Sequence, residues 1–136
     1  MLAVAEMQSL TGERVSGASL ASTEAIERKL ELTTKPVCFV RAWVIIDVDG
    51  VDPSVTRGSH LLPLVMYSHY VVSHGTDQLA RGDKVLTGFA THHDPSGIFE
   101  TAGTVYIMLG SGFRKSAGME TVRAGLRAVD PNRSGY

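Results

Sequence analysis

Apolar residues recur through the middle of the chain in the short, β-branched runs that are typical of buried strands. Residues 37–48 read Val-Cys-Phe-Val-Arg-Ala-Trp-Val-Ile-Ile-Asp-Val, and β-branched and aromatic side chains favour extended structure. A second run covers residues 64–73, and a third, at 84–92, alternates between two faces. These runs predict strands of a β-rich core over residues 37–117.

Turn-forming residues separate the later strands of this core. The string Asp94-Pro95-Ser96-Gly97 suits a tight reversal, so it predicts a hairpin that leads into residues 98–101. Residues 104–109 have the composition of a further strand, and the glycines at 110 and 112 are predicted to end the sheet. We therefore expect a curled antiparallel sheet or small barrel of about four or five strands.

Helical signals flank the predicted sheet on both sides. Ser22 is placed to cap a helix that ends near Leu32. Helical spacing predicts a C-terminal helix over residues 118–130, stopped by Asp130-Pro131. Residues 1–18 show weak periodicity and are expected to form a loose leader. The prediction is one α+β domain across residues 1–136. The apolar positions of the C-terminal helix are Met119, Val122, Leu126 and Val129.

Length and charge narrow the functional classes. The chain has 136 residues and a formal net charge of −1, which fits one domain and gives no support to nucleic acid or an acidic membrane as the main partner. Cys38 is the only cysteine, so an intramolecular disulfide and a thiolate-rich metal site are excluded. Without a signal-peptide pattern or a run long enough to span a bilayer, we expect a cytoplasmic protein with no membrane partner.

The string after the last predicted strand is the strongest candidate for a binding site. Glycines after a strand let successive backbone N–H groups point at one spot, and two cations beside them can add charge for a phosphate or carboxylate. The spacing matches neither a Walker A motif nor a dinucleotide fingerprint. The alternative is a simple connection whose basic residues face solvent. The predicted site comprises Gly110, Ser111, Gly112, Phe113, Arg114, Lys115 and Arg123.

Three other groups of residues are candidates for chemistry. His69 and His92 lie on predicted strands and could meet across them, whereas the adjacent pair His92-His93 would point to opposite faces of a strand. Asp47, Asp49 and Asp52 lack the further ligands of a calcium loop. The aromatic residues fall mostly within apolar runs, which favours core packing over base stacking. We predict no catalytic residue, no metal site and no cofactor.

Several short strings of the chain form a pattern when they are considered together. They are Arg41-Ala42-Trp43, Leu62-Pro63, Met66-Tyr67-Ser68, Gly82-Asp83-Lys84-Val85 and residues 99–117. This pattern resembles an uncharacterised domain family seen in pseudomonads and their prophages. The resemblance covers residues 37–117, and its most specific part is the Thr-Val-Tyr…Leu-Gly-x-Gly-x-Arg-Lys run. It implies a small mixed α/β domain encoded by an accessory gene, and it implies no activity.

The leading functional hypothesis is a non-catalytic binding module that contacts another macromolecule, most readily a protein. A nucleic-acid-binding small barrel and a small hydrolase or nucleotide-processing enzyme using a histidine remain as alternatives. We expect that changing Arg114 and Lys115 to alanine weakens partner capture and leaves the thermal midpoint nearly unchanged. The oligomeric state, the partner and the pathway stay open at this point.

Overall fold

The fold is a curled mixed β-sheet with helices at both ends of the chain. A computed structural model describes residues 3–76 and 78–129. The helices are α1 (Val4–Gln8), α2 (Thr23–Leu32), α3 (Pro53–Ser59) and α4 (Met119–Val129). The strands are β1 (Glu13–Ser16), β2 (Val37–Asp49), β3 (Leu64–His74), β4 (Val85–Leu86), β5 (His92–Asp94), β6 (Ile98–Glu100), β7 (Val105–Met108) and β8 (Ser111–Gly118).

The long strand β2 organises the sheet. It pairs antiparallel with β3 on one side. On the other side it pairs in parallel with β7 through its first half and with β8 through its second half. Ala42, between the two halves, has φ 50°, a left-handed conformation that is uncommon outside glycine and marks a local distortion of the strand. All eight strands found in the described residues join one sheet, so the prediction of four or five antiparallel strands was wrong in both number and direction.

One segment curls the sheet into a half-barrel. β4 pairs with β3, and the chain continues along β3 until the N–H of Ala90 donates to Leu64 O at 2.9 Å. The next N–H, of Thr91, donates instead to Glu100 O at 2.7 Å, and β5 then pairs with β6. The single strand predicted over residues 84–92 is therefore divided between two short strands, because the segment changes its hydrogen-bonding partner between Ala90 and Thr91.

Three buried clusters hold the sheet and its helices together. The inner cluster fills the concave side and includes the fully buried Trp43, whose Nε1–H donates to Leu109 O at 3.0 Å. A second cluster packs the opposite side of β2 and β3 against α1 and α4. A third packs β6 and β7 against α2 through Ile26 and Leu30. α1, α4 and α2 thus cover two parts of the outer side of the sheet, while side chains alone fill the interior.

The first residues of the chain are part of this packing. Met7 on α1 is fully buried beside Val122 of α4, and burial of a methionine side chain contributes about 1.5–3 kcal/mol. β1 pairs antiparallel with β8 along its whole length. Residues 3–18, which the sequence led us to expect in a loose leader, therefore contribute α1 and β1 to the packed fold.

Most of the local predictions agree with the structure. β2, β3, the β5–β6 hairpin and α2 lie within a few residues of their expected bounds. α4 begins at Met119, one residue after the predicted start, whereas its proposed stop at Asp130-Pro131 lies outside the described residues. No helix in the described part of the chain is long and apolar enough to cross a membrane.

Candidate functional site

The predicted binding string lies within the sheet and not at its end. Residues 111–118 form β8, hydrogen-bonded between β1 and β2. Gly110 supplies the bend between β7 and β8 with φ 72°, a conformation that glycine adopts without a steric penalty. The expected connection from strand to helix was wrong, and successive backbone N–H groups of β8 are directed alternately to its two neighbouring strands.

Arg114 and Lys115 have different surroundings, because adjacent residues of a strand point to opposite faces of the sheet. Arg114 holds Asp47 of β2 through two hydrogen bonds, Nε to Oδ2 at 2.8 Å and Nη2 to Oδ1 at 2.7 Å. These bonds raise the pKa of the Arg114 guanidinium above its ordinary value, and burial opposes them. About a third of each side chain remains exposed, 35% for Arg114 and 38% for Asp47.

Lys115 is turned toward the N-terminal segment instead. Its Nζ donates to Glu6 O at 2.7 Å and to Ser9 O at 2.9 Å, and it lies 3.0 Å from the hydroxyls of Ser9 and Thr11. Burial lowers the pKa of the Lys115 ammonium, and the charge of Glu6 opposes this shift. Lys115 therefore fastens the segment after α1 onto β8.

The remaining residues of the string do not gather around one ligand position. Phe113 packs against the cluster beneath α4, and Arg123 is exposed on α4. Gly112 lies against the indole of Trp43 with no room for a side chain. Partner binding by these residues stays a prediction. The structure differs from the expectation in the local geometry, which is a strand and not a connection.

The histidines are distributed over several parts of the fold. His69 Nε2 lies 2.6 Å from Gln8 O, and His92 is exposed on β5. His93 lies against Phe99, with ring centroids 6.1 Å apart, and burial followed by the charge of Arg114 lowers its pKa. In the described ranges no three His, Cys, Asp or Glu side chains are grouped so that they could hold a metal ion.

A groove that the sequence did not predict lies where the half-barrel stays open. We call it the edge groove; its volume is about 570 Å³, within the range of ligand-binding clefts. One wall is the chain from Val85 to Phe89, and the other is the turn from Thr101 to Thr104. The lining residues are Leu61, His74, Gln78, Leu79, Val85, Leu86, Thr87, Gly88, Phe89, Thr101, Ala102, Gly103, Thr104 and Tyr106.

The first wall is held rigidly by Thr87. Its hydroxyl donates to Gly88 O at 2.8 Å and accepts from the N–H of Met66 at 2.9 Å. The Thr87 N–H in turn donates to Met66 O at 2.9 Å. Buried polar groups that are fully paired in this way fix the backbone that carries them, so the wall is preorganised.

The second wall is a tight turn with an open rim. The N–H of Thr101 donates to Thr104 O at 2.9 Å, and the N–H of Thr104 donates to the Thr101 hydroxyl at 3.2 Å. These bonds leave Ala102 and Gly103 exposed at the mouth of the edge groove. A Cβ added at Gly103 would meet no atom within 4 Å, so this position can carry a larger side chain.

One imidazole contributes to the polar lining. His74 is buried, and its Nδ1 accepts from the N–H of Thr76 at 3.2 Å. In the neutral ring the proton therefore lies on Nε2, which makes that nitrogen a donor. The edge groove thus combines aliphatic walls with hydroxyl, imidazole and backbone groups, as specific binding clefts do.

Comparison with known proteins identifies a family without an assigned activity. A family model described as a domain of unknown function (DUF6957) matches residues 16–124, and the chain belongs to this family. The match begins before the predicted limit of residue 37 and extends into α4. No curated protein and no solved structure matches the chain.

Proposed function

We propose that this member of the DUF6957 family is a non-catalytic binding module that holds a segment of another protein in the edge groove. The observation that carries the proposal is the groove itself. The groove has a volume of about 570 Å³ and lies between two walls that are fixed by their own hydrogen bonds. Because the walls are already ordered, a ligand loses little binding free energy to ordering them.

The groove is favoured over the surface predicted from the sequence because two cations of that surface, Arg114 and Lys115, already have partners. Arg114 is bound to Asp47, and Lys115 is bound to oxygens of α1 and of the segment after it. A ligand of either cation would have to compete with these contacts.

We propose a bacterial, cytoplasmic setting and an accessory gene of prophage type for this module. The resemblance noted from the sequence supports the setting.

The single cysteine fits a non-catalytic role. Burial raises the pKa of the Cys38 thiol to about 11, so this cysteine stays protonated and unreactive at neutral pH, as suits a structural thiol.

The test uses two glycine-to-tryptophan variants as matched baits. Gly103→Trp places an indole at the mouth of the edge groove, whereas Gly118→Trp adds the same group at the end of β8, outside the groove lining. A Cβ at either glycine meets no atom within 4 Å, so both variants should fold. Proteins captured from the native host are identified by mass spectrometry.

The proposal expects partners that the unmodified chain and Gly118→Trp retain and that Gly103→Trp loses. Capture of the same partners by all three baits would move the binding surface away from the edge groove. Loss of capture in Arg114→Ala, with full capture by Gly103→Trp, would return it to β8.

A further inference from the structure

The wall formed by residues 85–89 is a strand edge that faces the edge groove. β4 pairs with β3 through Leu86 opposite Tyr67 and Val85 opposite Ser68. The Thr87 N–H donates to Met66 O, so Thr87, and not its neighbour Leu86, is hydrogen-bonded to β3. In an antiparallel pair the alternate residue directs its N–H and C=O away from the partner strand. The backbone of Leu86 is therefore directed to the other side of the strand.

The next residues add to the open edge. Thr87 bonds Met66 and Ala90 bonds Leu64, so two residues, Gly88 and Phe89, lie opposite one residue of β3. This is the pattern of a β-bulge, which leaves the extra residue unpaired in the ladder. Across the described residues, no carbonyl accepts a hydrogen bond from the N–H of Gly88.

We propose that the edge groove binds an extended peptide of the partner protein, which adds as a further strand along residues 85–89. This inference rests on the proposed function and specifies its ligand. A strand that lacks a neighbour presents donors and acceptors at a spacing of two residues, here at Leu86 and Gly88, and another extended backbone matches that spacing up to the bulge. Five residues span about 17 Å, so the bound core of the peptide is four or five residues long.

The groove walls define which side chains the peptide needs. Alternate residues of an added strand point to opposite faces. One face meets Val85 and Tyr106, which are 8% and 7% exposed, and it takes an apolar side chain. The opposite face lies on the side of Leu86, which packs in one cluster with Val122 of α4. The turn from Thr101 to Thr104 is the other wall of the edge groove and borders the far edge of the peptide, where its hydroxyl groups favour small or polar side chains.

The first experiment selects ligands and locates them. A displayed library of random octapeptides is panned on the full chain, and selected peptides are measured by fluorescence anisotropy against the unmodified chain, Gly103→Trp and Gly118→Trp. The proposal expects peptides with alternating apolar residues, a dissociation constant raised at least tenfold by Gly103→Trp, and no change with Gly118→Trp. A library that yields no peptide sensitive to Gly103→Trp overturns both this inference and the proposed function.

The second experiment separates strand addition from binding by side chains alone. Amide hydrogen exchange is followed by NMR with and without the selected peptide. Strand addition slows exchange at Leu86 and Gly88 at least tenfold and leaves Thr87 unchanged, because the Thr87 N–H is already bonded to Met66. N-methylation of single peptide nitrogens should weaken binding at every second position.

Peptides that are blocked by Gly103→Trp but leave the Leu86 and Gly88 amides unprotected would retain the proposed function and overturn strand addition. A second copy of the chain is the remaining extended ligand. Sedimentation of the protein without peptide should give a monomer; a dimer that Gly103→Trp dissociates would assign the edge to self-association and overturn the inference.

Discussion

Arg114 of β8 and Asp47 of β2 form a two-point ion pair across neighbouring parallel strands, at 2.8 and 2.7 Å. Asp47 lies opposite Ser116 in the strand register, and Arg114 lies opposite Ile45. The contact is therefore diagonal across the ladder. It joins the predicted strand β2 to β8, a strand that the sequence did not predict.

The first prediction concerns the strength of this pair. Both side chains are about one-third exposed, and water screens an ion pair at that depth. A double-mutant cycle with Asp47→Ala and Arg114→Ala, measured by urea unfolding, should give a coupling energy of about 0.5–1 kcal/mol. A coupling near zero would mean that the two side chains do not meet in solution.

The second prediction concerns Lys115, whose ammonium contacts two carbonyls and two hydroxyls of α1 and the segment after it. Lys115→Met keeps most of the apolar stem and removes the charged donor. We expect the free energy of unfolding to fall by about 1–3 kcal/mol, because the part-buried contact with the Ser9 carbonyl oxygen is lost. Amide exchange in residues 4–16 should rise at the same time.

Arg123→Met is the control for this change, because Arg123 is exposed on α4 and should leave the unfolding midpoint where it is. Equal midpoints for Lys115→Met and the unmodified chain would contradict the contacts. The structure thus alters one expectation from the sequence, since alanine at Arg114 and Lys115 together is now expected to lower the thermal midpoint.

The parts of the fold that could be predicted depend on neighbouring residues in the chain. β2 is recognisable from its β-branched run, and the β5–β6 hairpin from the turn at residues 94–97. β8 could not be recognised in this way. Its sequence, Ser-Gly-Phe-Arg-Lys-Ser-Ala-Gly, is polar and glycine-rich, and it is extended because it pairs with β1 and β2.

The same limit applies to the leader and to the edge groove. Met7 is buried by α4, which lies more than a hundred residues later in the sequence. The groove walls come from separate segments around residues 85–89 and 101–104. A local pattern carries no information on either contact. The sequence shows the charges of Arg114 and Lys115. It does not show that these charges bind groups of the same chain, because those groups are brought near only by the tertiary structure.

The third prediction concerns the close approach of β8 to the inner cluster. A Cβ at Gly112 would lie against the Trp43 indole and 2.5 Å from its carbonyl oxygen, and neither can move without disturbing the core. Gly112→Ala should therefore cost about 1–3 kcal/mol or more. Gly118→Ala, with open space at the same strand, is the matched control. Trp43 is the only tryptophan, so its fluorescence reports both unfolding curves; equal stability of the two variants would contradict the packing.

The last prediction concerns Glu100, a buried carboxylate of β6 that pairs with Lys29 of α2 and with Lys35, the latter at 2.6 Å. Burial raises the pKa of Glu100, but the hydrogen bonds and charges of the two lysines outweigh it, so the pKa lies below its ordinary value of 4.5. A carboxyl whose pKa is lower in the folded state stabilises the protein above its unfolded pKa, and this contribution is lost as the pH falls through the folded pKa.

Glu100→Gln should accordingly lower the free energy of unfolding by about 1–3 kcal/mol at pH 7, and the difference from the unmodified chain should shrink as the pH is lowered below about 4.5. Urea unfolding at a series of pH values between 7 and 3 measures this difference. Glu24→Gln removes a carboxylate from the exposed pair with Arg28 and should have no measurable effect at any of these pH values. A cost of Glu100→Gln that stays constant down to pH 3 would show that the two lysines stabilise no charge at Glu100, and that α2 is held to the sheet by Ile26 and Leu30 alone.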